Sequence, residues 1–291
     1  MLQFVKGHGT GNDFVVLPDP DGTLPLTPRL VAALCDRRRG IGGDGVLRVV
    51  RSAAHPDAAA QRDRAEWFMD YWNADGSPAE MCGNGVRVYV RYLVEEGLVD
   101  PVGELPIATR NGVVGAVVGP DEVAARLPRP RVYGESTAVV SGRRYPGDTV
   151  NVGNPHLVCR VGGTGDLAAL DLSTSPDVDD ASFPSGVNVE FMAASHAVDG
   201  CDVHVRMRVY ERGSGETLSC GTGACAVAAV ALRDAGCADG RALVDVPGGR
   251  LTVTLDDSAC WLAGPAVLVA RGTVDPAALD VRLPTVAAAA R

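Results

Sequence analysis

Short runs of β-branched and aliphatic residues, broken by Gly, Pro or charge, recur along the whole chain; Gly112-Val113-Val114-Gly115-Ala116-Val117-Val118 is one of them. The segments Phe68 to Trp72 and Val203 to Tyr210 have the apolar alternation of half-buried strands. A period of two bounded by turn residues predicts strands. Two segments depart from that period. One begins near Cys82 and runs through Val86-Arg87-Val88-Tyr89-Val90-Arg91-Tyr92-Leu93 to Gly97; the other runs from Cys220 through Ala224 to Leu232 and stops near Gly236. Each reads as a helix closed by a glycine, the residue that enters the left-handed conformation without a Cβ penalty. The pattern predicts an α+β chain in which strands dominate.

The two helices expose an internal repeat. Met81-Cys82-Gly83-Asn84-Gly85 and Ser219-Cys220-Gly221-Thr222-Gly223 share the order Cys-Gly-polar-Gly. A polar residue, Asn73 or Glu211, stands at the same distance before each cysteine and closes a strand-like segment. Further upstream, Gly11-Asn12 and Gly153-Asn154 recur at nearly the same spacing. A lone Gly-rich turn would not carry the helix behind it and the polar residue before it, so the repeat implies two similar halves, each a sheet around one helix. The division falls near Pro128-Arg129-Pro130: residues 1–127 hold Cys82, residues 128–272 hold Cys220, and the tail 273–291 is available to complete the first half.

A chain of 291 residues with 46% apolar composition suits two compact domains. No run is long enough to span a membrane, and the start, Met1-Leu2-Gln3-Phe4-Val5-Lys6, lacks the charged, apolar and cleavage regions of a signal peptide, so a cytoplasmic protein is expected. Its net charge of −9, with Arg scattered among Asp and Glu, lacks the basic stripe of a nucleic-acid binder. The eight cysteines include no CxxC pair, and Cys220 and Cys225 have no His beside them. Neither a zinc site nor the disulfide framework of a short secreted chain is expected.

Cys82 and Cys220 therefore call for a chemical reading. A helix start presents unpaired N–H groups and partial positive charge, which favours a thiolate and binds a carboxylate. Racemising an amino acid needs a base on one face of a weakly acidic Cα–H and an acid on the other. One thiolate and one thiol meet that need, with the developing charge resting on a carboxylate held at the helix ends, and no electron-sink cofactor is required. Lys6, the one lysine, lies at a strand end rather than in a recognisable cofactor pocket.

The chain resembles the diaminopimelate epimerase family. The resemblance is carried by His8-Gly9-Thr10-Gly11-Asn12-Asp13-Phe14, Gly40-Ile41-Gly42-Gly43-Asp44, Asn73-Ala74-Asp75-Gly76-Ser77, Met81-Cys82-Gly83-Asn84-Gly85, Gly153-Asn154-Pro155-His156, Val187-Asn188, Tyr210-Glu211-Arg212-Gly213, Cys220-Gly221-Thr222-Gly223-Ala224-Cys225 and Pro247-Gly248-Gly249, in order over nearly the whole length. It implies two pseudo-symmetric domains, each a β-barrel-like sheet around a central helix, associated as a homodimer. It also implies a small-molecule substrate, with LL- and meso-diaminopimelate interconverted, without cofactor or metal, for bacterial lysine and peptidoglycan-precursor synthesis. By that resemblance Cys82 and Cys220 are acid and base. Asn12, Asn73, Asn154, Asn188, Glu211 and Arg212 fall at substrate-contact positions, Gly83, Asn84, Gly221 and Thr222 on carboxylate-binding turns, and His156 and Glu211 at positions that tune the thiols.

Arg212 offers a planar fork for a second carboxylate, and neutral Asn side chains can read ammonium or carboxylate groups. The chain departs from some family members at Gly45, where they carry Gln, which leaves any side-chain contact there absent or replaced by water or backbone. Three other readings stay open at this stage. A proline or hydroxyproline racemase would use the same cysteine pair but leave the Asn and Arg set partly unpaired; a phenazine-type isomerase would not need the pair; a binding protein would keep the site without turnover. Cys225 reads as core packing.

Overall fold

The structure, a computed structural model, describes residues 1–281; residues 282–291 of the expected tail lie outside them. The chain opens with β1 (Leu2–Gly9), β2 (Asn12–Pro18), α1 (Pro28–Cys35), β3 (Gly45–Arg51) and β4 (Trp67–Asn73). Next come α2 (Gly83–Glu95), β5 (Leu105–Thr109), β6 (Gly112–Val118), β7 (Glu122–Leu127), β8 (Arg131–Val140), β9 (Arg143–Asn151) and β10 (Pro155–Arg160). After α3 (Thr164–Ala168), β11 (Asn188–Ala194), β12 (Val203–Glu211) and β13 (Gly215–Thr217) lead to α4 (Gly221–Asp234). The final strands are β14 (Gly240–Val246), β15 (Gly249–Leu255), β16 (Cys260–Pro265) and β17 (Val267–Val274).

Residues 1–8, 13–115 and 267–281 form one compact unit, and residues 9–12 and 116–266 a second. The expected division at 127/128 differs from this because of strand pairing. β7 pairs along its length with β16 and with the end of β6, which carries residues 116–127 into the second unit. β17 runs antiparallel to β1 and belongs to the first.

The repeat is visible in the ladders. In the first unit β2 is parallel to β3, β3 antiparallel to β4, and β4 parallel to β5. The second unit repeats that order with β10, β11, β12 and β14. A parallel pair cannot be closed by a hairpin, so a helix makes each last crossover: α2 between β4 and β5, α4 between β12 and β14. The α+β reading of the sequence holds, and each helix is the one its unit's strands pack around.

That position explains the composition of α2 and α4. Every α2 residue from Gly83 to Val90 is buried, and α4 is buried nearly all round, which suits a helix enclosed by protein rather than an amphipathic surface helix. Small residues in Gly-Ala-Cys-Ala-Val-Ala-Ala of α4 let strands β8 to β12 and β14 to β16 approach it. In the first unit, α1 covers the outside of β2 and β3 through Leu30, Val31 and Leu34 packed with Val15, Leu17 and Val46. With α2 on the other side, β3 is buried on both faces and reads as an apolar run rather than an alternation.

Both helices end as the sequence predicts. Leu98 N–H bonds to Leu93 O and Gly97 N–H to Val94 O, with Gly97 at φ +66°. Cys237 and Gly236 make the same pair of bonds to Leu232 and Arg233, with Gly236 at φ +80°. These 6→1 and 5→2 bonds satisfy carbonyls that the helix leaves without partners. Among the described residues no helix is long and apolar enough to cross a membrane.

Leu93 lies on α2 with no exposed surface. Leu93→Ala should lower unfolding stability by about 2–5 kcal/mol through lost burial and a residual cavity, measured as a shift in the urea midpoint with an unchanged slope.

Candidate active site

Cys82 is the N-cap of α2, in extended conformation at φ −144°, and its Sγ accepts from Gly85 N–H at 3.4 Å. The thiol thus takes up one of the amides a helix start leaves unpaired. It is half-buried. Asn84, the second residue of the helix, is buried, and Arg87, itself fully buried, donates from Nη1 to Asn84 Oδ1 at 2.8 Å.

The segment that delivers Cys82 is held against β4. Asn73 N–H bonds to Ser77 O at 2.9 Å, Asn73 Nδ2 donates to Ser77 Oγ at 3.1 Å, and Ala79 N–H bonds to Tyr71 O. Arg110 then spans the segment, donating to Tyr71 O at 2.8 Å and Ala79 O at 3.3 Å while pairing with the fully buried Asp70 at 2.5 Å. Asp70 also accepts from Trp72 Nε1 at 2.7 Å, so its charge is paired and hydrogen-bonded as a buried carboxylate requires.

A second network fixes the Gly40–Asp44 loop. Arg37 grips Asp13 through two bonds, at 3.0 and 2.7 Å, and reaches Asp44 at 2.7 Å. Lys6 pairs with Asp13 at 2.5 Å and donates to Gly42 O. Burial opposes ionisation of Asp13, but the Arg37 and Lys6 hydrogen bonds outweigh it and hold the carboxyl well below its usual range. The chain's one lysine is thus an ion-pair partner in this loop.

Gly45 follows directly on β3. A Cβ there would lie 2.4 Å from Trp72 O and 2.7 Å from Tyr71 Cε2, so the Trp72 backbone and the Tyr71 ring occupy the space of a side chain. The departure seen in the sequence has a steric basis in this chain.

In the second unit, Cys220 is the N-cap of α4 and is 5% exposed. Its neighbours are Thr222 Oγ1 at 3.6 Å and the half-buried Glu211 at the end of β12. Burial pushes the Cys220 thiol well above its ordinary range, and the carboxylates of Glu211 and Glu190 push the same way; the Thr222 hydroxyl and Gly223 N–H oppose them. The expected helix-end stabilisation of a thiolate is overridden here, because desolvation and two nearby negative charges act on a group with only two weak donors. Glu211 is itself raised by burial, against hydrogen bonds from Thr217 Oγ1, at 2.5 Å, and from Cys220.

Asn154 and His156 lead into and begin β10, beside β11. The imidazole of His156 is fully buried, with Nδ1 2.7 Å from Glu190 Oε1 and Nε2 3.1 Å from Asn154 Oδ1. Asn188 Oδ1 accepts from Arg212 N–H at 2.9 Å, and the exposed Arg212 guanidinium donates to Ser185 O at 2.7 Å. The turn Gly9–Asn12 also belongs to this unit. Thr10, at φ +52°, meets Ser219 hydroxyl to hydroxyl at 2.7 Å, immediately before Cys220. Gly248 allows this contact, since a Cβ at that position would lie 1.8 Å from Thr10 O.

The residues singled out in the sequence therefore form two sets. Asn73, Cys82, Gly83 and Asn84 gather at the head of α2; Asn12, Asn154, His156, Asn188, Glu211, Arg212, Cys220, Gly221 and Thr222 belong to the unit built around α4. Sequence reasoning missed Glu190, Thr217, Arg87 and Arg110. A signal existed for Glu190, a carboxylate inside the apolar run Asn188–Ala194, where an acidic residue needs a partner. Cys225 is fully buried on α4, and among the described residues no three His, Cys, Asp or Glu side chains are arranged as metal ligands.

The fold is shared with known enzymes. A phenazine biosynthesis protein of the PhzF family from Bacillus anthracis superposes with a TM-score of 0.69 at 17% identity, covering 94% of this chain and 98% of that one. A hydroxyproline epimerase from Agrobacterium vitis gives 0.66 at 17% identity, covering 97% and 95%. Sequence narrows the class. The diaminopimelate epimerase family model matches residues 4–125 and 149–274. Diaminopimelate epimerases from Streptomyces coelicolor and Mycolicibacterium smegmatis are 51% and 50% identical, covering 96% and 94% of this chain and 97% of each relative. The chain belongs to the diaminopimelate epimerase family.

Two outcomes check this geometry. Gly45→Gln should cost about 1–3 kcal/mol of stability, because the new Cβ forces β3 from β4, read from the urea midpoint. At neutral pH iodoacetamide should modify the half-buried Cys237 well before Cys220, whose burial and raised pKa both suppress the thiolate, as followed by peptide mass mapping.

Proposed function

We propose that this protein interconverts LL- and meso-diaminopimelate by removing and returning the proton at one Cα, with Cys82 and Cys220 as the acid–base pair and no cofactor. The observation that carries this reading is that the two cysteines hold repeat-related positions, each the N-cap of a buried helix followed by Gly-polar-Gly. An inverting proton transfer needs two groups of matched chemistry on opposite faces, and a duplicated unit supplies them in duplicate.

Burial and the neighbouring carboxylates keep Cys220 as the thiol in the resting protein, so it serves as proton donor while Cys82 abstracts; the roles reverse for the opposite direction. The helix-start amides of Gly83, Asn84, Gly221 and Thr222 receive the substrate carboxylate, where charge develops as the proton leaves. Asn12, Asn73, Asn154, Asn188, Glu211 and Arg212 hold the remaining ammonium and carboxylate groups, and Glu211 with His156 sets the environment of the thiols. A homodimer in the cytoplasm completes the reading, on the strength of the family resemblance.

The test is purified protein with LL-diaminopimelate in deuterated water and no added cofactor. Deuterium should enter the α-position as the meso product forms, and Cys82→Ala and Cys220→Ala should each lower turnover by roughly 10²–10⁴-fold. Exchange on proline with none on diaminopimelate would overturn the substrate assignment, and full activity in either alanine variant would overturn the mechanism. Sedimentation velocity of the same preparation tests the dimer.

A further inference from the structure

Glu190 is a buried carboxylate whose contact with His156 the reaction scheme leaves without a task. It lies on β11 with no exposed surface, and the parallel register of β10 with β11, His156 opposite Asn188, places its side chain diagonally beside the imidazole. Its Oε1 lies 2.7 Å from His156 Nδ1, and its Oε2 has no hydrogen-bond partner among the described residues. The carboxyl reaches the ring because α4 has glycine at its third position: a Cβ on Gly223 would lie 2.5 Å from Glu190 Oε1. His156 Nε2 in turn meets Asn154 Oδ1 at 3.1 Å.

A net charge is costly in a site with no exposure, so the Glu190 and His156 pair must be neutral overall. A hydrogen on Oε2 would find no acceptor, so neutrality leaves two arrangements, carboxylic acid protonated on Oε1 with imidazole or carboxylate with imidazolium. They differ only in the position of one proton along the 2.7 Å contact. In both, Nε2 carries a hydrogen. A ring nitrogen with a hydrogen can only donate, so the group it meets on Asn154 must be the carboxamide oxygen. The NH₂ of Asn154 is then left for another acceptor.

We propose that Glu190 and His156 are positioning residues that, by sharing one proton, lock the half-buried Asn154 with its amide nitrogen presented to the ligand, as a donor to a carboxylate rather than an acceptor from an ammonium group. This deepens the proposed function and rests on it, because it decides which of the two polar groups at the far end of a diamino diacid Asn154 reads. Without Glu190, the imidazole can place its hydrogen on Nδ1, Nε2 becomes an acceptor, and the Asn154 amide turns over. The site would then offer oxygen where the substrate offers oxygen.

The experiment is ¹⁵N NMR of histidine-labelled protein without substrate, with the His156 ring assigned by its loss in His156→Gln. The wild-type ring should carry a hydrogen on Nε2 at neutral pH. Glu190→Met, of similar length but unable to bond Nδ1, should move that hydrogen to Nδ1 in part of the population and raise the KM for LL-diaminopimelate about tenfold with kcat within about twofold. Glu190→Gln, whose amide can donate to Nδ1, should bring KM back to within about threefold of wild type. A wild-type ring with hydrogen on Nδ1 alone would overturn the proposal, as would a Glu190→Met protein whose kcat falls at unchanged KM. The tautomer is read without substrate, so failure to turn over diaminopimelate would sink the functional reading and not this one.

Discussion

The need of the first amides of an enclosed helix for partners outside the helix is the constraint around which each unit is organised. A helix leaves its first N–H groups without internal partners, and when the helix is wrapped by strands, water cannot serve them freely. Cys82 takes up part of that demand in one unit, through Gly85 N–H. At Cys220 the side chain makes no capping bond, and Thr222 and Gly223 supply only weak donors to its sulfur. Amides so placed suit an anion arriving from outside, and a sulfur beside them is well sited to work on that anion's neighbouring carbon.

The two cysteines are equivalent in the repeat and unequal in their surroundings. Cys82 is half-buried, whereas Cys220 is nearly enclosed and faces Glu211 and Glu190. Helix-end stabilisation amounts to a fraction of a charge, while desolvation and a full carboxylate charge are each larger in a site of low dielectric. Duplication thus supplies two thiols, and the surroundings of Cys220 push its thiol above the ordinary range.

Several glycines around the two cysteine-bearing helices are explained by the close approach of another group. Gly248 lies where a Cβ would overlap Thr10 O, Gly45 where it would meet Trp72 O, and Gly223 where it would displace the Glu190 carboxyl. In each case the side chain is missing because another part of the site fills its volume. The Thr10–Ser219 contact shows the consequence: a turn from the chain's first hairpin is pinned to the residue preceding Cys220.

Much of this was legible in the order of residues. Periodicity marked the strands around Phe68 and Val203 and the helices behind Cys82 and Cys220, since a side chain's face is set by local geometry alone. The Gly97 and Gly236 stops were legible for the same reason. The cysteine repeat and the family motifs named the candidate chemistry. Less visible were the assignments of β7 and β17, because strand partners distant in sequence leave no local trace. Arg110 and Thr217 stayed hidden likewise: a polar residue in a strand or turn looks alike whether it meets water or a buried partner. The sequence by itself determined the repeat and the elements and named the candidate reactive residues, all of which depend on short-range geometry and residue chemistry. Only the tertiary structure decided that the Cys220 thiol is pushed above its ordinary range and which carboxylate meets His156, because burial and the distance between charges arise when remote strands come together.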